Sequence, residues 1–104
     1  MENKNTYQEL DLVDGQIVKM TLNFARLLKI KNDQPNVYDR FMNVLQNKDF
    51  DLISDSLAVL YAGYLCANIG NESVLSEDEF IELIPFDLEL INIKAGQLIQ
   101  GKKK

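Results

Sequence analysis

The sequence predicts an α+β fold that is mostly helical, with an N-terminal β-hairpin packed on about five α-helices. Two observations predict it. Alternating apolar residues on both sides of Asp14-Gly15 indicate a hairpin, and five later segments carry apolar residues at helical spacing. A chain of 104 residues, 46% of them hydrophobic and 26% charged, is long enough for one small domain and has ordinary globular composition.

The hairpin covers residues 7–22, and the pattern of its side chains sets its register. A two-residue turn would mix apolar and polar residues on each face. A three-residue loop, 13–15, with Gly15 left-handed at a bulge, sets Leu10 opposite Val18 and Gln8 opposite Met20. One face then carries the apolar residues Leu10, Leu12, Val18, Met20 and Leu22.

Two helices are predicted next. Thr21 or Asn23 caps a short helix over residues 23–31. Pro35 suits the first turn of the following helix, because its missing N–H would have no partner there. The apolar stripe of the first helix is Phe24, Leu27 and Leu28, with Arg26 and Lys29 outward, and that of the second is Val37, Tyr38, Phe41, Met42 and Leu45.

Residues 51–68 are expected to form the central helix, because the run 57–67 is apolar on nearly every side. Small residues such as Gly63 would let neighbouring elements approach it closely. Tyr61 and Tyr64 are either core residues with their hydroxyls at the edge or a contact patch for a partner. The expected buried stripe is Ile53, Leu57, Leu60, Tyr61 and Tyr64.

A capping box predicts the start of a fourth helix, since Ser76 and Glu79 can each accept a hydrogen bond from the other's amide. Pro85 ends this helix at about Ile84. A last helix over about 87–99 has the apolar stripe Leu88, Ile91, Ala95 and Leu98. The expected organisation is a flexible N-terminus at 1–6, a single α+β domain at 7–99 and a flexible basic tail at 100–104.

The chemical inventory argues against catalysis. The chain has no His and one cysteine, Cys66, which lies in the apolar run and is expected to be a packed thiol. The sequence contains no Gly-rich phosphate loop, dinucleotide fingerprint or catalytic triad, and the acidic run 77–79 lacks the spacing of a calcium loop. We therefore expect no enzymatic activity, no cofactor and no metal site.

The pattern of hydropathy also predicts a location. The N-terminal residues are polar, unlike a signal-peptide core, and the longest apolar run has 11 residues. A membrane-spanning helix needs about 20. We expect a cytoplasmic protein without a membrane partner.

The net charge of −5 is distributed unevenly. Residues 1–50 carry seven acidic and seven basic residues, whereas 51–93 carry nine acidic residues and no basic one. This pattern predicts either two solvated faces or head-to-tail packing into a homo-oligomer. In that packing Arg26, Lys29 and Lys31 of one copy would meet Glu77, Asp78 or Glu82 of the next. No basic footprint for nucleic acid is present.

Four blocks in a fixed order resemble those of the tail assembly chaperones of long-tailed phages and prophages of Gram-positive bacteria. The hairpin leads into 22–29 (LNFARLLK), and 37–41 (VYDRF), 60–68 (LYAGYLCAN) and 75–80 (LSEDEF) follow before an amphipathic C-terminal helix. The blocks cover about residues 7–99. Their order, together with the length and acidity of the chain, is the basis of the resemblance.

The resemblance implies a role in viral tail assembly through protein–protein interaction. Such chaperones bind the tape measure protein, keep it soluble and help tail tube protein assemble around it, and they are absent from the finished virion. It also implies a longer second product made by a translational frameshift, with which the three terminal lysines are compatible. Candidate partner-binding residues are Arg26, Lys29, Lys31, Tyr61, Tyr64, Glu77, Asp78 and Glu82.

A second function from another class is an acidic inhibitor that imitates nucleic acid and binds a host DNA-binding enzyme. Residues 51–93 would supply the charge. The acidic residues, however, occupy helix-start positions and alternate with apolar ones between 77 and 84, as in an ordinary amphipathic helix.

Overall fold

Two strands followed by five helices make up residues 7–46 and 49–100, the part of the chain that the computed structural model describes. The elements are β1 (Gln8–Asp11), β2 (Ile17–Met20), α1 (Phe24–Asp33), α2 (Pro35–Gln46), α3 (Ser54–Ala67), α4 (Glu77–Leu83) and α5 (Leu88–Gln100). The predicted α+β class with mostly helical content is confirmed. The flexible N-terminus predicted at 1–6 lies outside the described residues. Of the flexible tail predicted at 100–104, Gln100 is the last residue of α5, and 101–104 lie outside the described residues.

The hairpin has the predicted register. Gln8 pairs with Met20 and Leu10 with Val18 in an antiparallel ladder. Gly15 has a φ of +95°, in the left-handed region that an L side chain rarely adopts, so the three-residue loop depends on a glycine there. The apolar face packs on the core through the buried residues Leu10, Leu12 and Met20, with Val18 and Leu22 partly buried beside them.

Three helices begin where the sequence predicts. The Asn23 side chain accepts a hydrogen bond from the amide of Arg26 at 2.9 Å and caps α1. Pro35 is the first residue of α2. The capping box of α4 is complete, because the Glu79 amide donates to Ser76 Oγ at 3.2 Å and the Ser76 amide donates to Glu79 Oε1 at 3.0 Å.

Helix α3 lies at the centre of the fold, as predicted, with every residue from 58 to 66 buried. It contacts α1, α2, α4, α5 and β2. Neighbouring elements approach α3 closely at Gly63, whose carbonyl accepts a hydrogen bond from the Thr21 amide at 3.1 Å. A Cβ atom on Gly63 would lie 2.9 Å from Leu98 Cδ1 and 3.3 Å from Met20 Cβ. The glycine therefore lets α5 and β2 pack directly on the α3 backbone.

The predicted apolar stripes are only partly buried, and this corrects the sequence analysis. In α1 the buried residues are Leu27 and Ile30, while Phe24 and Leu28 are exposed. Leu27 and Ile30 share one helix face, and Phe24 and Leu28 lie on the adjoining face that the core does not reach. Leu45, Ile53 and Leu88, each predicted to belong to a stripe, are exposed in the same way.

No helix in the two described ranges combines the length and the hydrophobicity that crossing a lipid bilayer requires.

Candidate polypeptide-binding surface

Tyr61 and Tyr64 belong to the core. Their exposed fractions are 3% and 5%, and both rings pack against Phe80, with Tyr64 stacked on it at 4.8 Å between centroids. Both hydroxyls bind the backbone of Leu75. The Tyr61 hydroxyl donates to the Leu75 carbonyl oxygen at 2.9 Å, and the Leu75 amide donates to the Tyr64 hydroxyl at 2.8 Å. Of the two alternatives, the structure shows core residues with hydroxyls at the edge.

Burial also changes the acidity of this cluster. Desolvation, with a smaller contribution from the nearby Glu77 carboxylate, raises the pKa of Tyr61 to about 12. The phenol therefore stays protonated at neutral pH and remains a hydrogen-bond donor to Leu75.

The basic candidates lie on or next to the surface of α1. Arg26 is half-buried, and its Nη1 donates to the carbonyl oxygen of Cys66 at 2.7 Å, in the last turn of α3. A cation at this position stabilises the negative end of the helix dipole. Arg26 and Lys29 together line a shallow depression with Asn23, Ala25 and Ile69. Lys31 is exposed, with its Nζ 5.6 Å from the ring centre of Tyr38.

The acidic candidates lie on α4. Glu77 is half-buried and forms an ion pair with Arg40 of α2. Asp78 and Glu82 are exposed and free to face a partner's cations, as far as the described residues show. The basic and acidic candidates thus occupy different helices, and Arg26 and Glu77 already have partners within the chain.

An apolar groove lies between α1, α2 and the end of α5, and we call it the α1–α2–α5 groove. It has a volume of about 320 Å³. Phe24 forms one wall and is 86% exposed, and Leu45 and Ile99 are also exposed. The full lining is Leu22, Asn23, Phe24, Leu27, Phe41, Leu45, Leu98 and Ile99.

A second apolar groove, the α3–α4–α5 groove, lies at the other end of α5 and has a volume of about 240 Å³. Phe86, between α4 and α5, is fully exposed at its edge. Ile53 and Leu88 are exposed beside it. The lining is Ile53, Leu57, Ile81, Ile84, Pro85, Phe86, Asp87, Leu88 and Ile91.

The two grooves differ in the charge that surrounds them. Among the described residues, no charged side chain lines the α1–α2–α5 groove, and Arg26 and Lys29 line the separate depression on α1. One carboxylate, that of Asp87, lines the α3–α4–α5 groove. Asp55, Glu82 and Glu89 are close to its lining residues in the sequence but do not belong to the lining.

Sequence reasoning did not single out the exposed aromatic residues at these grooves. Phe24 was expected in the core because it falls at helical spacing with Leu27. The exposure of Phe86 could have been predicted from the sequence, since Phe86 lies between Pro85 and Asp87, in a short connection with no apolar periodicity. A phenylalanine in such a connection either folds inward or marks a contact surface.

Cys66 has none of the features of a reactive thiol. It is fully buried, and desolvation raises its pKa to about 12, against a smaller lowering effect from Arg26. Within 7–46 and 49–100, no three Cys, Asp or Glu side chains are grouped so that they could hold a metal ion.

No protein-family model, curated protein or solved structure matches this chain.

Proposed function

We propose that this protein is a phage or prophage tail assembly chaperone. It binds the tape measure protein in the bacterial host cytoplasm, keeps it soluble and assists assembly of the tail tube, and it is not retained in the mature virion. The order of the four sequence blocks supports this proposal, as does a surface suited to holding another polypeptide.

The α1–α2–α5 groove is the observation that supports the proposal most directly. An amphipathic helix docks by laying its apolar face into an apolar groove. The walls here come from three helices, and Phe24, Leu45 and Ile99 leave apolar surface exposed to solvent. A tape measure protein that awaits assembly exposes apolar helix faces, which aggregate unless they are covered.

Burial of these apolar residues by a client would favour binding. Complete burial of one phenylalanine side chain contributes about 1.5–3 kcal/mol. Phe24, Leu45 and Ile99 together therefore offer several times RT, before the entropic cost of association is subtracted.

The net charge of −5 supports solubility of the complex. A bound acidic chaperone adds negative charge to each client, and like charges keep clients apart.

The local roles of the acidic residues favour this function over imitation of nucleic acid. Glu79 completes the capping box of α4, and Asp87 accepts a hydrogen bond from the Leu90 amide at the start of α5. Asp51 accepts hydrogen bonds from Ser54 Oγ and the Ile53 amide, which lower its pKa, before α3. These carboxylates serve helix starts rather than a row spaced like phosphates.

Co-expression tests the proposal. The chain is produced together with the tape measure protein encoded in the same genome, and the soluble fraction and affinity-purified complex are measured. We expect the tape measure protein to be soluble and to co-purify with the wild-type chain. Phe24→Ser should reduce both yields, whereas Ile17→Ser, an exposed apolar residue outside both grooves, should not. Retention of a DNA-binding enzyme in place of the tape measure protein would favour the inhibitor instead.

A further inference from the structure

Helix α4 is attached to the rest of the fold mainly through one side chain. The structure describes all seven residues of this helix, and Phe80 is the one among them that is buried. Its ring packs on those of Tyr61 and Tyr64, at 5.4 and 4.8 Å between centroids. Helix α3, in contrast, is buried at every residue from 58 to 66. Since packing of an apolar face supplies most of the stability of a helix in a protein, α4 is held less strongly than α3.

Two hydrogen bonds from backbone groups fix the ends of residues 75–84, which we call the α4 segment. At its start, the Leu75 amide donates to the Tyr64 hydroxyl at 2.8 Å. At its end, the Leu83 carbonyl oxygen accepts from the Val13 amide of the hairpin loop at 2.9 Å. Movement of α4 away from α3 would break both hydrogen bonds.

Two further contacts span the same boundary. The Tyr61 hydroxyl donates to the Leu75 carbonyl oxygen at 2.9 Å. Glu77 forms an ion pair with Arg40 of α2, and because both side chains are partly exposed the pair adds little to stability. The attachments of the α4 segment thus come from α2, α3 and the hairpin loop, and each of them depends on α4 being in place.

These attachments support one another because α4 is short. Isolated helices below about 12 residues are marginal in water, so the seven residues of α4 do not stay helical once Phe80 leaves its site. Loss of the helix in turn displaces the Leu83 carbonyl from Val13. The connections 68–76 and 84–87, which the structure describes in full, contain no helix or strand. They give α4 the slack to leave while α3 and α5 stay folded.

We infer that the α4 segment opens as one unit from an otherwise folded protein, as a strap over Tyr61 and Tyr64. Segments that open below the free energy of global unfolding are those with few buried apolar contacts, as α4 has. Opening uncovers both tyrosine rings and vacates the site of Phe80. It also removes Ile81 and Ile84, which line the α3–α4–α5 groove, so that groove exists in the closed form alone. The inference concerns this chain by itself and does not depend on the proposed function.

Native-state hydrogen exchange of the full chain, measured by NMR in low concentrations of urea, tests the inference. Three amides report on separate parts of the segment, since Val13 donates to Leu83, Leu75 to Tyr64 and Phe80 to Ser76. If the segment opens as one unit, their opening equilibrium constants should agree within about threefold. They should exceed that of the Leu60 amide, in the middle of α3, at least about tenfold.

Two conservative core variants separate opening of the strap from global unfolding. Ile30→Val, in buried α1, should raise exchange of the Leu60 amide about threefold to tenfold and leave Val13, Leu75 and Phe80 unchanged, because α1 stays folded when α4 opens. Phe80→Leu should raise exchange at Val13, Leu75 and Leu60 by one common factor, because residue 80 loses its packing in the open form and in the unfolded chain.

Two outcomes would overturn the inference. Opening constants of Val13, Leu75 and Phe80 that differ by more than about tenfold would show that the ends fray separately. Exchange of these amides at the rate of Leu60, with Ile30→Val raising all four together, would show that α4 opens only when the whole protein unfolds. Both outcomes are read from wild type and Ile30→Val, so the test holds even where Phe80→Leu does not fold.

Discussion

The hydroxyl of Tyr61 donates a hydrogen bond to the carbonyl oxygen of Leu75 at 2.9 Å. The Leu75 amide is bound as well, since it donates to the hydroxyl of Tyr64 at 2.8 Å. Leu75 directly precedes Ser76, the cap of α4. The two tyrosines of α3 therefore hold the start of α4 against the centre of the fold through these two hydrogen bonds.

Removal of either hydroxyl should destabilise the protein. Tyr61→Phe leaves the Leu75 carbonyl without its donor, and Tyr64→Phe leaves the amide without its acceptor. Each loss should cost about 1–3 kcal/mol in the free energy of unfolding, measured by urea denaturation. Tyr38→Phe is the control, since it keeps the ring beside Lys31, and it should change stability by no more than about 0.5 kcal/mol. Equal stability of all three variants would show that the hydrogen bonds of Tyr61 and Tyr64 to Leu75 do not stabilise the fold.

Two helical glycines should respond to alanine in opposite directions. At Gly63 the new Cβ meets Leu98 Cδ1 at 2.9 Å and Met20 Cβ at 3.3 Å, so Gly63→Ala should destabilise by about 1–3 kcal/mol through overpacking. At Gly96 nothing lies within 4 Å, and Gly96→Ala should stabilise by about 0.5–1 kcal/mol through helix propensity. Thermal unfolding of the two variants measures the contrast. A Gly63→Ala variant at least as stable as wild type would show that close packing at Gly63 is not limiting.

The α4 capping box should contribute measurably to stability. Ser76→Ala removes the oxygen that accepts from the Glu79 amide and should cost about 0.5–2 kcal/mol. Ser73→Ala is the matched control, because Ser73 is exposed in the preceding turn and lies outside the box. Denaturant midpoints of the two variants that coincide would contradict the prediction.

Alkaline pH should lower the free energy of unfolding, because the buried thiol of Cys66 and the buried phenol of Tyr61 must ionise. The pKa of Cys66 is raised from 9.0 to about 12, and that of Tyr61 from 10.0 to about 12. A group whose folded pKa is raised stabilises the fold fully below its unfolded pKa and loses that contribution as pH rises through the folded value. Stability should therefore fall from about pH 9 towards pH 12, by at most about 1.4 kcal/mol per pH unit for each group.

A variant identifies the thiol's share of this pH dependence. Cys66→Ala should show a shallower decline of stability between pH 9 and about 12 than wild type, whatever its stability at neutral pH. Urea denaturation at pH 8, 10 and 11 gives the slopes. Parallel slopes for variant and wild type would show that ionisation of Cys66 is not coupled to unfolding.

Local signals in the sequence predicted much of the backbone. The hairpin register followed from alternation together with Gly15, and the start of α4 followed from Ser76 and Glu79. Each of these features depends on residues near one another in the chain. The central position of α3 was predictable because its apolar run leaves no polar face.

The candidate surface was harder to predict, because periodicity shows that a face is apolar and does not show what covers it. Phe24 and Leu45 fell in predicted core stripes, yet they are exposed and line the α1–α2–α5 groove. Ile53 and Leu88 also fell in predicted core stripes, yet they are exposed and line the α3–α4–α5 groove. Burial of these residues depends on the positions of distant helices, which a stripe in one helix cannot specify.

Chemical-shift mapping tests the central claim most directly, namely that the α1–α2–α5 groove holds a client polypeptide. A helical fragment of the tape measure protein is titrated into isotope-labelled protein. Backbone amides of Phe24, Leu45 and Ile99 should shift most, and Phe24→Ser should weaken binding at least tenfold. Shifts confined to residues outside this groove, or unchanged affinity after Phe24→Ser, would contradict the account.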